Sequence, residues 1–294
     1  MKINLLNWNN WKGGADIFTY LLAKMLKENY NIDKIVFNDA SNDYDIIHNN
    51  NCFNQRNSDI LTIHGINIER EDLFLNTVEK ASVITSISEV QKDTLEDKYK
   101  INIDKVIYNF SDMLFYPKKI YPSYNGLIIG YFGRIEKKKI DNDFLKIIKD
   151  NKNSNIKFIF YGYWQDLKLV DYLKSFKNVE VFNMITNRKA LAEAIDLVDV
   201  VIHPSLEDVC PISIIDALFR KKVVIARELE TLKEVFKDNL IYYNSYVELR
   251  DVFKNIDTLK YSYLKEKAFN YAFNNFNPLE NSFKYYKIYR NLLI

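Results

Sequence analysis

The sequence predicts an α/β protein of two similar halves, each a parallel sheet with helices on both faces, opposed across a cleft. Three observations carry this. Short apolar runs alternate with segments of helical period along the whole chain. The alternation stops at the proline-containing stretch 116–125 and then restarts. The scarce glycines and histidines sit where apolar runs meet polar loops, as strand-end loops require. At 294 residues, two domains fit a usual size of about 100–200 residues each.

Residues 2–6 form an apolar run suited to a buried first strand. The polar loop 7–14 ends in Gly13-Gly14 and leads into a helix over 15–28, where Ile17, Leu21, Leu22 and Met25 share one face. Strands follow at 34–37, 46–48, 60–63, 83–85 and 106–108, with helices at 69–80 and 88–98. Pro117 and Pro122 mark 116–125 as a linker. Beyond it the reading is strand 127–132, helix 141–151, strand 156–161, helix 165–176, strand 178–182 and helix 188–196. Strand 198–202, helix 212–220 and strand 222–226 complete the sheet. The tail from about 244 is helical, with Pro278 breaking it late. Domain limits are expected at 1–118 and 124–275.

Composition narrows the function. The chain is 48% hydrophobic and 27% charged, ordinary for a globular protein rather than a disordered or fibrous one. A net charge of +2 gives no bulk attraction to nucleic acid or anionic membrane. Two cysteines, Cys52 and Cys210, make no disulfide framework and fit a reducing compartment. No apolar run approaches the ~18 residues of a spanning helix, and the first residues are too short in apolar length for a signal peptide. A cytoplasmic location is therefore expected.

Ligands of open parallel sheets bind beyond the carboxyl ends of the strands, and four segments there carry chemistry. In 203–218, a strand ends in an acidic loop and Pro211 opens a helix. Backbone N–H groups near Ile212 and Ser213 then form an anion site. Asp208 and Asp216 flank it, suited to sugar or ribose hydroxyls, unless Asp208 merely caps the helix and Asp216 is a solvated acid. In 129–139, Gly133-Arg134 precedes three lysines ending at Lys139. That is either a solvated basic turn or a clamp for a diphosphate and its leaving charge. Gly13-Gly14 opens the first helix without forming a dinucleotide fingerprint, so no nicotinamide or flavin is expected. His64, in Thr62-Ile63-His64-Gly65, is a polar group at a sheet end or a contact for a reacting sugar. Asp43-Tyr44-Asp45 resembles a metal-binding Asp-x-Asp but precedes its strand, at the wrong end. No zinc spacing, P-loop or nucleophile elbow is present.

Together these segments resemble the retaining, nucleotide-sugar-dependent glycosyltransferases of the GT-B fold, the group 1 or family 4 type. Gly13-Gly14 is similar to that family's first-loop glycines, and His64 stands where it has a donor-site histidine. Ser86-Ile87-Ser88 and Tyr108-Asn109-Phe110-Ser111-Asp112, with Phe115-Tyr116-Pro117, resemble its strand-end and pre-linker segments. Gly133-Arg134 with Lys139 resembles its basic clamp. Pro204-Ser205, Asp208 and Asp216-Ala217 resemble its paired-acid motif, with aspartates where the family has glutamates. Val209, Cys210-Pro211, Ile140 and Phe110 also depart from the pattern.

The resemblance implies two Rossmann-like domains, acceptor-side at 1–118 and nucleotide-sugar-binding at 124–275, with the tail 276–294 packing back on the first. It implies hexose transfer with retained configuration, UDP-sugar favoured, without a metal or other cofactor beyond the co-substrate. The expected catalytic residues are His64, Arg134, Lys139 and Asp208. Donor binding falls to Gly13, Gly14, Gly133, Arg134, Lys139, Asp208, Ile212, Ser213 and Asp216, with Asp216 on the ribose. The acceptor is open between a surface glycan, a protein and modified nucleic acid, and the oligomeric state is open too. Two other readings compete: a sugar-nucleotide epimerase, and a non-catalytic sugar-nucleotide-binding homologue.

Overall fold

The computed structural model describes residues 1–7, 13–41, 43–121, 125–255 and 262–294. The first half contributes β1 (Lys2–Leu6), α1 (Gly14–Asn29), β2 (Lys34–Phe37), β3 (Ile46–Asn49) and β4 (Ser58–Ile63). It continues with α2 (Glu71–Glu79), β5 (Ala81–Ser86), α3 (Glu89–Tyr99) and β6 (Lys105–Val106). These six strands pair parallel in the order β2-β1-β3-β4-β5-β6. The second half contributes β7 (Leu127–Phe132), α4 (Asn142–Asp150), β8 (Ile156–Tyr161), α5 (Leu167–Lys174), β9 (Val179–Phe182) and α6 (Arg188–Leu197). Then come β10 (Val200–His203), α7 (Ile212–Phe219), β11 (Val223–Arg227), α8 (Glu230–Phe236), β12 (Ile241–Tyr243) and α9 (Tyr246–Lys254). Its sheet is also parallel, in the order β12-β11-β10-β7-β8-β9. Two further helices, α10 (Ser262–Asn275) and α11 (Pro278–Leu292), close the chain.

Each sheet is covered on both faces, which is why its strands read as nearly continuous apolar runs. In the first half, Ile3, Leu5, Phe18, Leu22 and Ile60 pack on one face, and Leu61, Ile63, Phe74 and Leu95 on the other. In the second, α6, α7, α8 and α10 cover one face through Ile195, Ile215, Leu232 and Ala272. Helices α4, α5 and α9 cover the opposite face through Phe144, Leu173 and Leu249.

The structure refines the reading of the tail, of Pro278 and of the linker. The tail from 244 is helical as expected, in three helices, and a short strand, β12, precedes it. Pro278 begins α11 rather than ending a helix, because a first-turn residue has no use for the N–H that proline lacks. Strand β12 and helix α8 escaped because they are short and their burial comes from neighbours rather than from a local period. The first part of the linker is tied down. Arg220 donates to the carbonyls of Met113, Tyr116 and Pro117, so this stretch already lies against the second domain. Pro122 and the boundary at 124 lie outside the described residues. Asp45 accepts from the Lys2 amide (2.7 Å) at the amino edge of β1, away from the strand-end loops.

Helix α11 returns to the first domain and packs against α1. Tyr285 and Tyr289 are fully buried there, and Tyr30 and Tyr286 stack at 4.3 Å. Inside this apolar contact runs a polar ladder. The Tyr289 hydroxyl meets His48 Nδ1 (2.7 Å), His48 Nε2 meets Thr62 Oγ1 (2.7 Å), and Thr62 meets Thr85 (2.7 Å). Burial, reinforced by nearby His64, holds the His48 pKa down to about 3. The native state therefore refuses a proton that the unfolded chain accepts below its ordinary 6.5. Stability is full above pH 6.5 and falls as pH drops from 6.5 toward 3. His64, also depressed to about 3 by burial, adds to the same slope. We expect the melting temperature to fall between pH 7.5 and pH 5. In His48→Leu, less stable at both pH values, the fall should shrink to about half as one of two histidines is removed. An unchanged slope in that variant refutes the assignment.

Candidate functional site

Strand order opens the site. In the second sheet β7 lies between β8 and β10, so the helices after β7 and β10 leave to opposite faces and their loops separate. In the first sheet the same reversal falls between β1 and β3. The loops after β7 and β10 carry Gly133, Arg134, Lys139 and Asp208. The β1 loop ends in Gly13-Gly14, and Asn50 and Cys52 follow β3. Between these loops lie two adjacent cavities, of about 980 Å³ and about 460 Å³. Gly13, Gly14, Arg134, Lys139, Asp208 and Ile212 line both. The larger adds Gly133, Ser213 and Asp216; the smaller adds His64. Every expected site residue thus reaches one cleft. Residues 8–12 of the first loop lie outside the described residues.

Gly133 is placed by the neighbouring loop. Its amide donates to the Tyr161 carbonyl (3.0 Å). Gly162 crosses it so closely that a Cβ there would sit 1.7 Å from the Gly133 carbonyl oxygen. Arg134 is 41% exposed and pairs loosely with Glu136 (3.3 Å). Such an exposed pair is worth little, so the guanidinium is available to a ligand. Lys139 donates to Asp208 (2.9 Å) and to the Glu207 carbonyl, and His203 Nε2 lies 3.0 Å from the same aspartate oxygen. Burial alone would raise the Asp208 pKa, but the Lys139 charge and the hydrogen bonds from His203 and Lys139 hold it well below the carboxylate range. Asp208 does not cap α7: its N-cap is Pro211, with no side-chain bond. The amides of Ile212 and Ser213 precede the first bonded amide of that helix, Ile214 to Pro211 (3.1 Å). The Ile212 side chain plugs into the first domain's core beside Phe18 and Tyr285.

Two placements depart from expectation. Asp216 is neither solvated nor free. It is 2% exposed, and Arg188 holds it with two bonds, Nη1 to Oδ2 (2.8 Å) and Nη2 to Oδ1 (2.7 Å), joined by Ser111. Arg188 Nε also bonds Asp112 (2.9 Å), which accepts from Lys24 of α1 (2.8 Å) and from Tyr116 (2.9 Å). Burial favours the protonated form of Asp112, but the charges of Arg188 and Lys24 outweigh it and its pKa is lowered. His64 lines the smaller cavity rather than the larger, with Nε2 3.2 Å from Asn50 Oδ1 and its ring 4.8 Å from Phe18. Burial holds its pKa to about 3, so it is neutral near pH 7 and a poor general base.

Sequence reading missed Arg188 and the loop 184–187 that walls the larger cavity with Met184, Ile185 and Thr186, and placed Ser111 only within a motif, without a role. In that loop Asn187 caps α6, its side chain accepting from the Ala190 amide (2.9 Å). Among the described residues, no three His, Cys, Asp or Glu side chains are grouped to hold a metal. No described helix is long and apolar enough to cross a membrane.

Comparison with known proteins agrees with this geometry. The family model described as glycosyl transferases group 1 matches residues 116–253. Sucrose-phosphate synthase from Thermosynechococcus elongatus has a similar structure, with a TM-score of 0.80, 14% identity and 99% of each chain covered. Anabaena HepE, solved in complex with UDP-glucose, scores 0.78 at 17% identity, also over 99% of each chain. WaaG, a glycosyltransferase involved in lipopolysaccharide biosynthesis, scores 0.74 at 11% identity over 97% of this chain and 99% of its own. These likenesses show the fold, GT-B. No curated protein sequence matches the chain significantly.

The glycines of the cleft differ in what they tolerate. A Cβ on Gly13 meets nothing within 4 Å, whereas one on Gly162 collides with backbone. Gly162→Ala is expected to lose about 1–3 kcal/mol of stability through overpacking and to displace the Gly133 loop. Gly13→Ala should melt within a degree or two of the wild type. Equal melting of both variants in a thermal scan would contradict the collision.

Proposed function

We propose that this chain, whose residues 116–253 match the group 1 glycosyl transferase model and which has the GT-B fold, is a glycosyltransferase that transfers a hexose from a UDP-sugar with retained configuration. The observation that supports this best is convergence. Arg134, Lys139, Asp208 and the amino end of α7 meet on one cavity of about 980 Å³ at the switch point of a nucleotide-binding type of sheet. UDP is favoured because a neighbour in structure, HepE, was solved with UDP-glucose and with UDP and glucose.

In this reading the diphosphate sits against Arg134, Lys139 and the Ile212 and Ser213 amides. These groups neutralise the charge that grows as the sugar C1–O bond breaks, with no need of a resident metal or other cofactor. Lys139 already faces an anion, Asp208, so the donor phosphate takes over part of a contact the protein makes without it. Asp208 then turns to the sugar hydroxyls. Among the described residues, the cleft presents no pair of carboxylates placed as nucleophile and acid, in contrast to a retaining glycosidase. The departing phosphate oxygen therefore takes the acceptor hydroxyl's proton, and the new acceptor O–C1 bond forms on the face the phosphate leaves. Gly13 and Gly14 leave room for the donor where a side chain would intrude. His64, neutral, orients the sugar. Asp216 reaches the ribose only with the oxygen capacity that Arg188 and Ser111 leave.

The reading has direct tests. UDP should raise the melting temperature by mass action. The product anomer should match the donor's, and turnover should survive EDTA. Arg134→Ala and Lys139→Ala are each expected to lower turnover by about 10²–10³. Arg134→Ala should leave the melting temperature unchanged, since that side chain is 41% exposed. An inverted product, abolition by chelation, or near-normal rates in both variants overturns the mechanism.

A further inference from the structure

Three buried polar atoms without partners belong to residues lining the smaller cavity. They are His64 Nδ1, Asn50 Nδ2 and Asn109 Oδ1. Asn50 is 1% exposed and Asn109 4%. Unpaired buried groups are few in folded proteins, and each one costs free energy unless something satisfies it. Three around one cavity point to a ligand that completes them.

The chemistry of the three restricts that ligand. Asn50 is anchored at its backbone, its amide donating to the Leu6 carbonyl (2.8 Å). Its Oδ1 lies 3.2 Å from His64 Nε2. A carbonyl oxygen only accepts, so Nε2 carries the hydrogen and Nδ1 is a bare acceptor. Asn109 spends its Nδ2 on the Cys210 carbonyl (2.7 Å), which leaves its Oδ1 as a second acceptor. Asn50 Nδ2 is a donor. Two acceptors and one donor, none charged, match hydroxyl groups, each of which both donates and accepts. A carboxylate or ionised phosphate has no hydrogen for Nδ1 or Oδ1. An ammonium has no lone pair for Nδ2.

We propose that Asn50 is a positioning residue that holds His64 as the Nε2–H tautomer, and that His64 Nδ1, Asn109 Oδ1 and Asn50 Nδ2 together receive hydroxyls of the transferred sugar. The second part rests on the glycosyltransferase reading; the first does not. The cavity shares Arg134, Lys139 and Asp208 with the larger one, so a sugar held here hangs from a diphosphate bound there.

The tautomer can be read without turnover. The chain has three histidines, so two-bond ¹H–¹⁵N correlation spectra of the full-length ¹⁵N-labelled protein are sparse. His64→Gln identifies the relevant signals by their loss. The wild type should show Nε2 protonated and Nδ1 bare. Asn50→Asp, which keeps an acceptor, should keep Nε2 protonated, whereas Asn50→Leu should release the preference. An Nδ1–H tautomer in the wild type, or an unchanged pattern in Asn50→Leu, overturns Asn50 as the positioning residue. For the hydroxyls, UDP and UDP-glucose are titrated against wild type and Asn50→Leu. UDP affinity should be unchanged and UDP-glucose affinity about tenfold weaker, the size of a lost hydrogen bond to a neutral group. Equal weakening of both ligands, or of neither, overturns the sugar assignment. Failure of UDP and UDP-glucose to bind the wild type counts against the glycosyltransferase reading instead, with the tautomer result standing on its own.

Discussion

The buried guanidinium of Arg188 is the contact on which the cleft depends. It ties Asp216 in α7 to Ser111 and Asp112 ahead of the linker, and Asp112 reaches Lys24 in α1. One side chain thus links the helix whose amino end faces the cavity to both domains. A buried charge set of this kind is held by mutual satisfaction. Removing one member strands the others at about 3–5 kcal/mol, so the arrangement is close to all-or-none. Its consequence is geometric. With α7 fixed, Ile212 plugs the first domain's core and the Ile212 and Ser213 amides hold their aim into the cleft.

Around that frame the charged side chains of the cleft pair with one another. Lys139 and Asp208 satisfy one another, and Arg134, itself partly exposed, pairs only loosely with Glu136. A ligand bearing phosphate competes for cations that are already ordered, which lowers the entropy lost on binding. Glu234 accepts from Ser88 and Tyr108 (both 2.6 Å), and Asn67 bonds Glu207 (3.0 Å), so further polar contacts bridge the domains near the same loops. The cavities are enclosed by contacts that depend on both domains at once. Their shape therefore responds to how the domains meet, and closure would exclude water from the reacting centre.

Legibility from sequence varied with the range of the interaction. Strands β1, β2, β7 and β8 fall on the expected residues because each is a local apolar run between polar or glycine signals. Arg134, Lys139 and Asp208 were legible because they follow such runs and so had to lie at strand ends. Asp43 and Asp45 were excluded by the same logic. Asp216 was legible only in part: its spacing from Asp208 places it on α7, but nothing nearby in sequence announces Arg188, 28 residues away. Asn50 was invisible, since asparagines are common in this chain, and Asn109, though within a recognised segment, gave no sign of the unpaired oxygen that only its contact with the Cys210 carbonyl reveals.

By itself, the sequence determined the fold class, the two-sheet organisation and the carboxyl-end location of the basic and acidic residues. These follow from periodicity and strand polarity, which are properties of a few consecutive residues. Tertiary structure alone decided which side chains face each other. It paired Lys139 with Asp208, withdrew Asp216 into a salt bridge with Arg188, and moved His64 to the smaller cavity beside Asn50. Those outcomes depend on strand order and on the distance between loops remote in the chain. Hydrogen bonds and ion pairs act over a few ångströms of space, and no local pattern of residues encodes that proximity.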